Sequence, residues 1–294
     1  VLQRVETQPR DLEAYREFVD AKLFADLERL ADRLEGLKVG HVNATSRGGG
    51  VAEILKSLVP LMSGLGLKTE WYCMGSNGDF FNVTKNIHNS LQGGTWQFDS
   101  RTHETFLLQN REIAAEIQGL DIDVWIVHDP QPCPIRVGMH PFRQSIWHCH
   151  IDTSTPNTAV WNYLYRYLQG YDRLVFCLPE YVNGSTPPEK VRFLRPAIDP
   201  LTIKNQRLPE WKAKDIVGGL GIDPDRPLIT QVARFDSWKD PLGVVDVYRI
   251  AKREVPDLQL ALMGVIEAQD DPEAEAVLGQ VKKRREEDPD IHLF

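Results

Sequence analysis

Short apolar runs alternate with amphipathic stretches almost from one end of the chain to the other. Residues 11–34 (DLEAYREFVDAKLFADLERLADRL) place Leu12, Tyr15, Val19, Leu23, Leu27, Leu30 and Leu34 at helical spacing, and Gly36 follows as a stop. The spacing predicts one helix ahead of the main fold, so residues 1–36 read as an N-terminal helical extension. Strand patterns then recur at 37–43 (LKVGHVN), 68–74 (KTEWYCM), 122–128 (IDVWIVH), 145–149 (SIWHC) and 173–178 (RLVFCL). Helical patterns lie between them at 51–65, 102–119 and 157–169, and a short strand is expected at 190–194. Near-continuous apolar strands separated by helices predict a parallel sheet covered on both faces.

The stretch RPAIDPLTIKNQRLPEW, punctuated by Pro196, Pro200 and Pro209, marks a boundary. It divides an α/β domain over 37–205 from a second one over 206–294. There the alternation restarts: helix 210–219, strand 228–233, helix 241–254, strand 258–264, helix 273–287 and the start of a strand at 291–294. A doubly wound domain carries about five or six strands. The second domain has about three, and is expected to be cut off in mid-sheet.

Bulk properties narrow the partners. A chain of 294 residues can bury two cores, and 42% hydrophobic with 26% charged residues is ordinary for a globular protein. A net charge of −8 argues against nucleic acid or an acidic membrane, both of which want a basic footprint. No run approaches the roughly 18 apolar residues of a membrane span, and the charged N-terminus has no secretory apolar region. Of four cysteines, Cys73, Cys149 and Cys177 sit in apolar runs and none forms a CxxC pair with Cys133 or another. A reduced, cytoplasmic protein is the expectation.

Three glycines, Gly48, Gly49 and Gly50, stand between the first strand and an amphipathic helix (HVNATSRGGGVAEIL). In an open parallel sheet, ligands bind beyond the carboxyl ends of the strands. A helix opening there offers free N–H groups to an anion. The competing readings are a tight turn without a ligand and a dinucleotide loop with Glu70 on the ribose. The dinucleotide pattern fails at its third glycine, where Glu53 stands.

Two further strands end in polar clusters, VHDPQP (His128–Pro132 within it) and WHCHID (Trp147–Asp152). Residues at these ends face a ligand crevice, so His128, Asp129, His148, His150 and Asp152 are candidates. Alternation along a strand puts His148 and His150 on one face and Cys149 on the other, which weakens a His-Cys-His zinc reading. For His148 a satisfied, half-buried imidazole is the simpler expectation. In the second domain, ARFDSWKDP (Ala233–Pro241) places Arg234 and Lys239 in a strand-to-helix loop. A guanidinium fork and an ammonium suit a diphosphate, though two solvated surface cations are the common alternative.

Taken together, GGGVAEILKSLVPL, FFNVTKNIHNSLQG (Phe80–Gly93), VHDPQP, WHCHID, LPEY, AIDPL and QVARFDSWKDP resemble trehalose glycosyltransferring synthase. That group belongs to the retaining glycosyltransferases of family 4, whose GT-B fold has two facing Rossmann-like domains. The likeness runs from the N-terminal helix to Phe294. It implies transfer of glucose, with retention, from a nucleoside-diphosphate-glucose (ADP- or UDP-glucose) to the anomeric hydroxyl of glucose, giving α,α-trehalose, often reversibly. It assigns Arg234 and Lys239 to the departing diphosphate, Gly48, Gly49 and Gly50 to donor phosphates and sugar, and His150 to the reacting centre. Asp129, Gln131 and Asp152 would hold sugar hydroxyls. The resemblance implies that no protein nucleophile is needed and that no tightly bound metal or cofactor is expected.

Two departures qualify the resemblance. The family's acidic Glu-x7-Glu motif and its base-binding strands lie past Phe294, so this chain is expected to be part of a longer protein. Asp240 stands where a glycine often follows the lysine. Alternatives are a family 4 enzyme with another acceptor, a sugar-binding fragment without catalysis, or a nicotinamide oxidoreductase resting on Glu70. Small-molecule sugars are the expected partners, and apolar faces on an incomplete sheet favour a homo-oligomer.

Overall fold

A computed structural model describes residues 2–75, 78–96, 99–139, 143–235, 237–264 and 274–294. The chain divides into two compact units, Val1–Asn205 and Gln206–Phe294. In chain order the first unit contains β1 (Leu2–Val5), α1 (Ala21–Leu34), β2 (Lys38–Asn43), α2 (Gly50–Gly64), β3 (Lys68–Met74), α3 (Gly78–Leu91), α4 (Ser100–Gln118), β4 (Val124–His128), β5 (Gln144–Cys149), α5 (Thr158–Leu168), β6 (Arg173–Phe176) and β7 (Val191–Phe193).

Its seven strands lie in the order β1-β3-β2-β4-β5-β6-β7, and all pairs are parallel except β1 with β3. The α/β architecture with a parallel-dominated sheet is therefore as expected. From β2 the chain adds β3 on one side and then crosses to add β4 on the other. That makes the carboxyl edge between β2 and β4 a topological switch point, where the following loops diverge and leave a crevice. The core on the helix-covered faces is aromatic-rich: Phe80, Phe106, Trp125, Trp147, Tyr171 and Phe176 are all 2% exposed or less.

Residues 1–36 differ from a plain helical extension. Leu2–Val5 form an edge strand, with Leu2 opposite Met74 and Val5 opposite Trp71. The predicted helix is two pieces, a 3-10 turn at Leu12–Phe18 and α1. The break has a local cause: Asp20 takes an extended backbone and its carboxylate accepts from the Leu23 N–H, starting a new helix. Asp11 does the same for the 3-10 turn by accepting from Glu13. Of α1 only Phe24 is buried, while Leu23, Leu30 and Leu34 are exposed.

The motif FFNVTKNIHNSLQG, to which the spacing assigned no element, is most of helix α3. Phe80, Phe81, Thr84, Ile87 and Leu91 are its buried stripe. All four cysteines are buried and free.

The second unit holds α6 (Glu210–Gly219), β8 (Leu228–Val232), α7 (Pro241–Ala251), β9 (Gln259–Met263), α8 (Ala274–Arg285) and β10 (Ile291–Leu293). Its strands are parallel in the order β10-β9-β8. Val245, Tyr248, Leu260, Val281 and Ile291 form its core. Val232 on the edge strand β8 and Trp211 on α6 are exposed. Among the described residues, no helix is long and apolar enough to cross a membrane.

Candidate active site

The loop after β2 is held from below by Asn43. This buried amide accepts from the Trp71 Nε1–H at 2.7 Å and donates to the Thr45 carbonyl at 2.7 Å. The Thr45 hydroxyl in turn donates to the Arg47 carbonyl. The three glycines that follow have different reasons to be glycine. Gly48 has a φ of +83°, where a Cβ is strained. Gly49 is extended, and a Cβ on Gly49 or Gly50 would meet nothing within 4 Å. The protein's own packing therefore does not require glycine at those two positions. Gly49 is also the N-cap of α2 with no side-chain hydrogen bond to the helix, so the first N–H groups are left without a side-chain cap.

The loops after β4 and β5 meet beside this one. His41 in β2 is in register with Ile126, and His128 lies two residues further along β4 on the same face. His128 is in register with His148, and His150 lies two residues beyond that. The result is a diagonal of imidazoles climbing three adjacent strands toward the carboxyl edge. His41 Nδ1 lies 3.1 Å from His128 Nε2, and His128 Nδ1 lies 3.0 Å from His150 Nε2. His148 packs against His150 with ring centres 4.0 Å apart, on the shared face that strand alternation requires, while Cys149 is fully buried.

Burial sets the charge of this cluster. It pushes His41 and His148 down to about 3, His150 to about 4, and His128 well below its ordinary value. Repulsion from neighbouring imidazoles adds to the effect at His41, His128 and His148. All four are neutral at pH 7. His148 is not the satisfied imidazole expected: its Nε2 is buried without a hydrogen-bond partner, as is that of His41. One ring nitrogen from each of His128, His148 and His150 lies within 4.8 Å of the others, a spacing open to a metal ion. Neither His41 nor the His128 link was singled out from sequence. The signal was a histidine inside the apolar run LKVGHVN.

Asp129 braces the cluster. Its backbone is left-handed, at φ 64°, and its Oδ1 accepts from the His150 N–H at 2.8 Å. Its carbonyl accepts from the Trp147 Nε1–H, also at 2.8 Å. Burial raises its carboxyl to about 6, against the lowering effect of the His150 hydrogen bond. One oxygen of Asp129 thus holds the His150 backbone rather than a ligand. Gln131 presents a buried amide Oε1 without a partner. Asp152 is half-buried and accepts from the Ser154 N–H at 2.8 Å, turning the loop after β5. The structure therefore gathers His150, Asp129, Gln131, Asp152 and the glycine loop at the carboxyl ends of β2, β4 and β5.

Glu70 is elsewhere. It is the third of seven residues in β3, toward the amino end, and its carboxylate takes Arg4 at 3.1 Å and the Tyr72 hydroxyl. Glu53 is held by Lys56 at 3.0 Å and by Lys204. Neither acid is placed for a dinucleotide.

In the second unit, Arg234 follows β8 and is half-buried, while Lys239 is exposed at the end of a 3-10 turn, Ser237–Lys239. The Lys239 carbonyl accepts from Gln231 Nε2 at 2.7 Å, which ties this turn to the strand. Asp240 explains its own departure from glycine. It adopts a left-handed backbone, φ 45° and ψ 54°, and turns its carboxylate onto the Gly243 N–H as the N-cap of α7. Its charge is directed at the helix, where the dipole favours it.

Comparison with known proteins adds the family. Residues 41–183 match the model of the trehalose synthase N-terminal domain. The chain is 44% identical over 299 residues to a trehalose synthase of Rubrobacter xylanophilus, covering all of this chain and 72% of that protein. It is 41% identical over 284 residues to a trehalose synthase of Thermococcus litoralis, covering 96% of this chain and 69% of that one. A trehalose phosphorylase of Pleurotus pulmonarius is more distant, at 29% identity over 95% of this chain and 44% of its own length. Among solved structures, the trehalose-6-phosphate synthase OtsA superposes with a TM-score of 0.66 at 15% identity, over 87% of this chain and 73% of that one. A Burkholderia vietnamiensis trehalose-phosphate synthase gives 0.63 at 13%, over 88% and 72%. The solved structures share the fold, and the sequence relatives carry the kinship: the chain belongs to the trehalose synthase family, trehalose-related glycosyltransferases of the GT-B fold.

Proposed function

We propose that this protein transfers glucose, with retention, from a nucleoside-diphosphate-glucose to the anomeric hydroxyl of a second glucose, forming α,α-trehalose. The observation that carries this reading is the glycine loop. Gly49 and Gly50 answer to no packing demand of the protein, and they open a helix without a side-chain cap at the switch point of the sheet. An anionic ligand pressed against bare backbone supplies the missing reason.

The chemistry assigns each group a task. The donor C1–O bond to the diphosphate breaks, and the C1–O bond to the acceptor forms on the same face. The acceptor proton passes to the departing phosphate oxygen, so no protein nucleophile takes part. Arg234 and Lys239 neutralise the charge that grows on the diphosphate, and groups aimed at developing charge are the strongest contributors to rate. The α2 N-terminus at Gly48–Gly50 receives donor phosphate and sugar. His150 meets the donor sugar near the reacting carbon. The Gln131 amide oxygen, buried and unpartnered, accepts from a sugar hydroxyl, and Asp129 and Asp152 complete the hydroxyl contacts. These steps call on no tightly bound cofactor.

The test is initial-rate kinetics with ADP-glucose and UDP-glucose against a panel of hexose acceptors. The reading expects nucleotide release that depends on glucose as acceptor. No release with any hexose would refute it and leave sugar binding without catalysis. Release with a different hexose alone would move the acceptor and keep the reaction class.

A further inference from the structure

Among the described groups, one unpartnered buried atom decides how the histidine diagonal is wired. His41, His128 and His150 are joined end to end by two imidazole–imidazole contacts of 3.1 and 3.0 Å. All three are neutral at pH 7, so each ring carries one N–H and one bare nitrogen. Only two arrangements then satisfy both contacts. Either every ring donates toward His150, or every ring donates toward His41.

The closed end of the chain separates them. His41 is 1% exposed, and its Nε2 is buried with no hydrogen-bond partner. If the rings donated toward His41, that atom would carry a buried, orphaned N–H. If they donate toward His150, it is a bare lone pair. Buried orphan donors are rarer than under-satisfied acceptors in folded proteins. Donation toward His150 is therefore favoured, and it puts a hydrogen on Nδ1 of each ring, although a histidine free in water prefers Nε2.

We propose that His41 and His128 are positioning residues that hold His150 as its Nδ1–H tautomer, so that it meets the ligand as an uncharged hydrogen-bond donor. The inference rests on the reading of His150 as a contact of the donor sugar. It adds what that contact does: His150 seeks an oxygen lone pair, of a hydroxyl or a phosphate, and does not accept a proton from one. The tautomer is set two strands away, because the hydrogen bond made by one ring nitrogen fixes the state of the other. A metal ion held by His128, His148 and His150 is the competing use of the cluster. It would need a nitrogen of His128, and both are already engaged by His41 and His150.

The experiment is long-range 15N–1H correlation of the imidazoles of the ligand-free chain at pH 7, with its eight histidines assigned by single substitution. The expected spectrum shows His41, His128 and His150 all as Nδ1–H tautomers. His41→Phe, which removes the first donor, should lose the Nδ1–H signature at His150. His41→Asn, whose amide N–H stands close to the position of Nδ1, should keep it. An Nε2–H tautomer at His150 in the unsubstituted protein overturns the proposal, whatever the variants do. So does a stoichiometric shift of all three rings on adding zinc at micromolar concentration. The spectrum reports no catalysis, so its outcome and that of the transferase assay are separable.

Discussion

His128 Nδ1 lies 3.0 Å from His150 Nε2, although the two residues are 22 apart in the chain, one ending β4 and the other just past the end of β5. The contact follows from register: His128 pairs with His148, and two further residues bring His150 to the same face and the crevice edge. His128→Leu should leave the sheet intact and free the His150 ring. Removing one oriented donor from a transferase site costs about a hundred- to a thousandfold in kcat, and His150→Ala should show that loss. His128→Leu should lose activity in the same direction with unchanged far-UV circular dichroism. Full activity in His128→Leu would show that the link does no positioning.

The glycine loop separates folding from binding. Gly48→Ala forces a Cβ into a left-handed backbone, at a cost of about 1–2 kcal/mol. A Cβ at Gly49 meets no atom within 4 Å, and the extended backbone there is one that valine favours. Thermal melts should therefore show destabilisation in Gly48→Ala and little in Gly49→Val. Donor KM should rise sharply in Gly49→Val. An unchanged KM there would remove the argument for a ligand against the loop.

Arg234 and Lys239 should act on rate. Loss of either cation should lower kcat by about a hundred- to a thousandfold. Arg234→Lys should recover little of it, because an ammonium lacks the planar fork. Recovery to parental rates in Arg234→Lys would show that charge alone suffices.

Acid should unfold the first unit early. Folded, His41, His148 and His150 protonate only at about 3, 3 and 4, and His128 far below its ordinary value, against about 6.5 unfolded. Above pH 6.5 neither state binds these protons, and the stability is fully present. As pH falls from 6.5 toward 4, the unfolded chain takes protons that the folded one refuses, and stability is lost. Asp129 works in the opposite sense, since its folded value near 6 exceeds the ordinary 3.8 and favours the folded state as pH falls through that interval. Four imidazoles outweigh one carboxyl. The urea midpoint should drop steadily from pH 7 to 4.5, and a flat profile would contradict the buried, neutral cluster.

Much of this was legible in the sequence, and the remainder has physical reasons. The strand at 68–74 was visible through Trp71–Met74, four successive residues whose burial on both faces makes a continuous apolar run. The break in residues 11–34 was hidden because Asp20 caps a new helix without disturbing the apolar spacing. The edge strand Leu2–Val5 is too short to show a period. At the site, strand alternation placed His148 and His150 together, but nothing in one strand states its register with the next. The diagonal through His41 and His128 is a property of three registers at once. The bracing of His150 by Asp129 was hidden as well, because the left-handed backbone that turns one carboxylate oxygen onto the His150 N–H leaves no mark in the sequence.

The central claim is that the glycine loop, His150 and the Arg234–Lys239 turn serve glucosyl transfer to glucose with retention. Its most direct test uses a nucleoside-diphosphate-glucose labelled with 13C at C1 of the glucose, unlabelled glucose, and product analysis by NMR. The account predicts a labelled α anomeric carbon in α,α-trehalose, formed only when glucose is present. Free labelled glucose as the sole product, or a β-linked disaccharide, would contradict it.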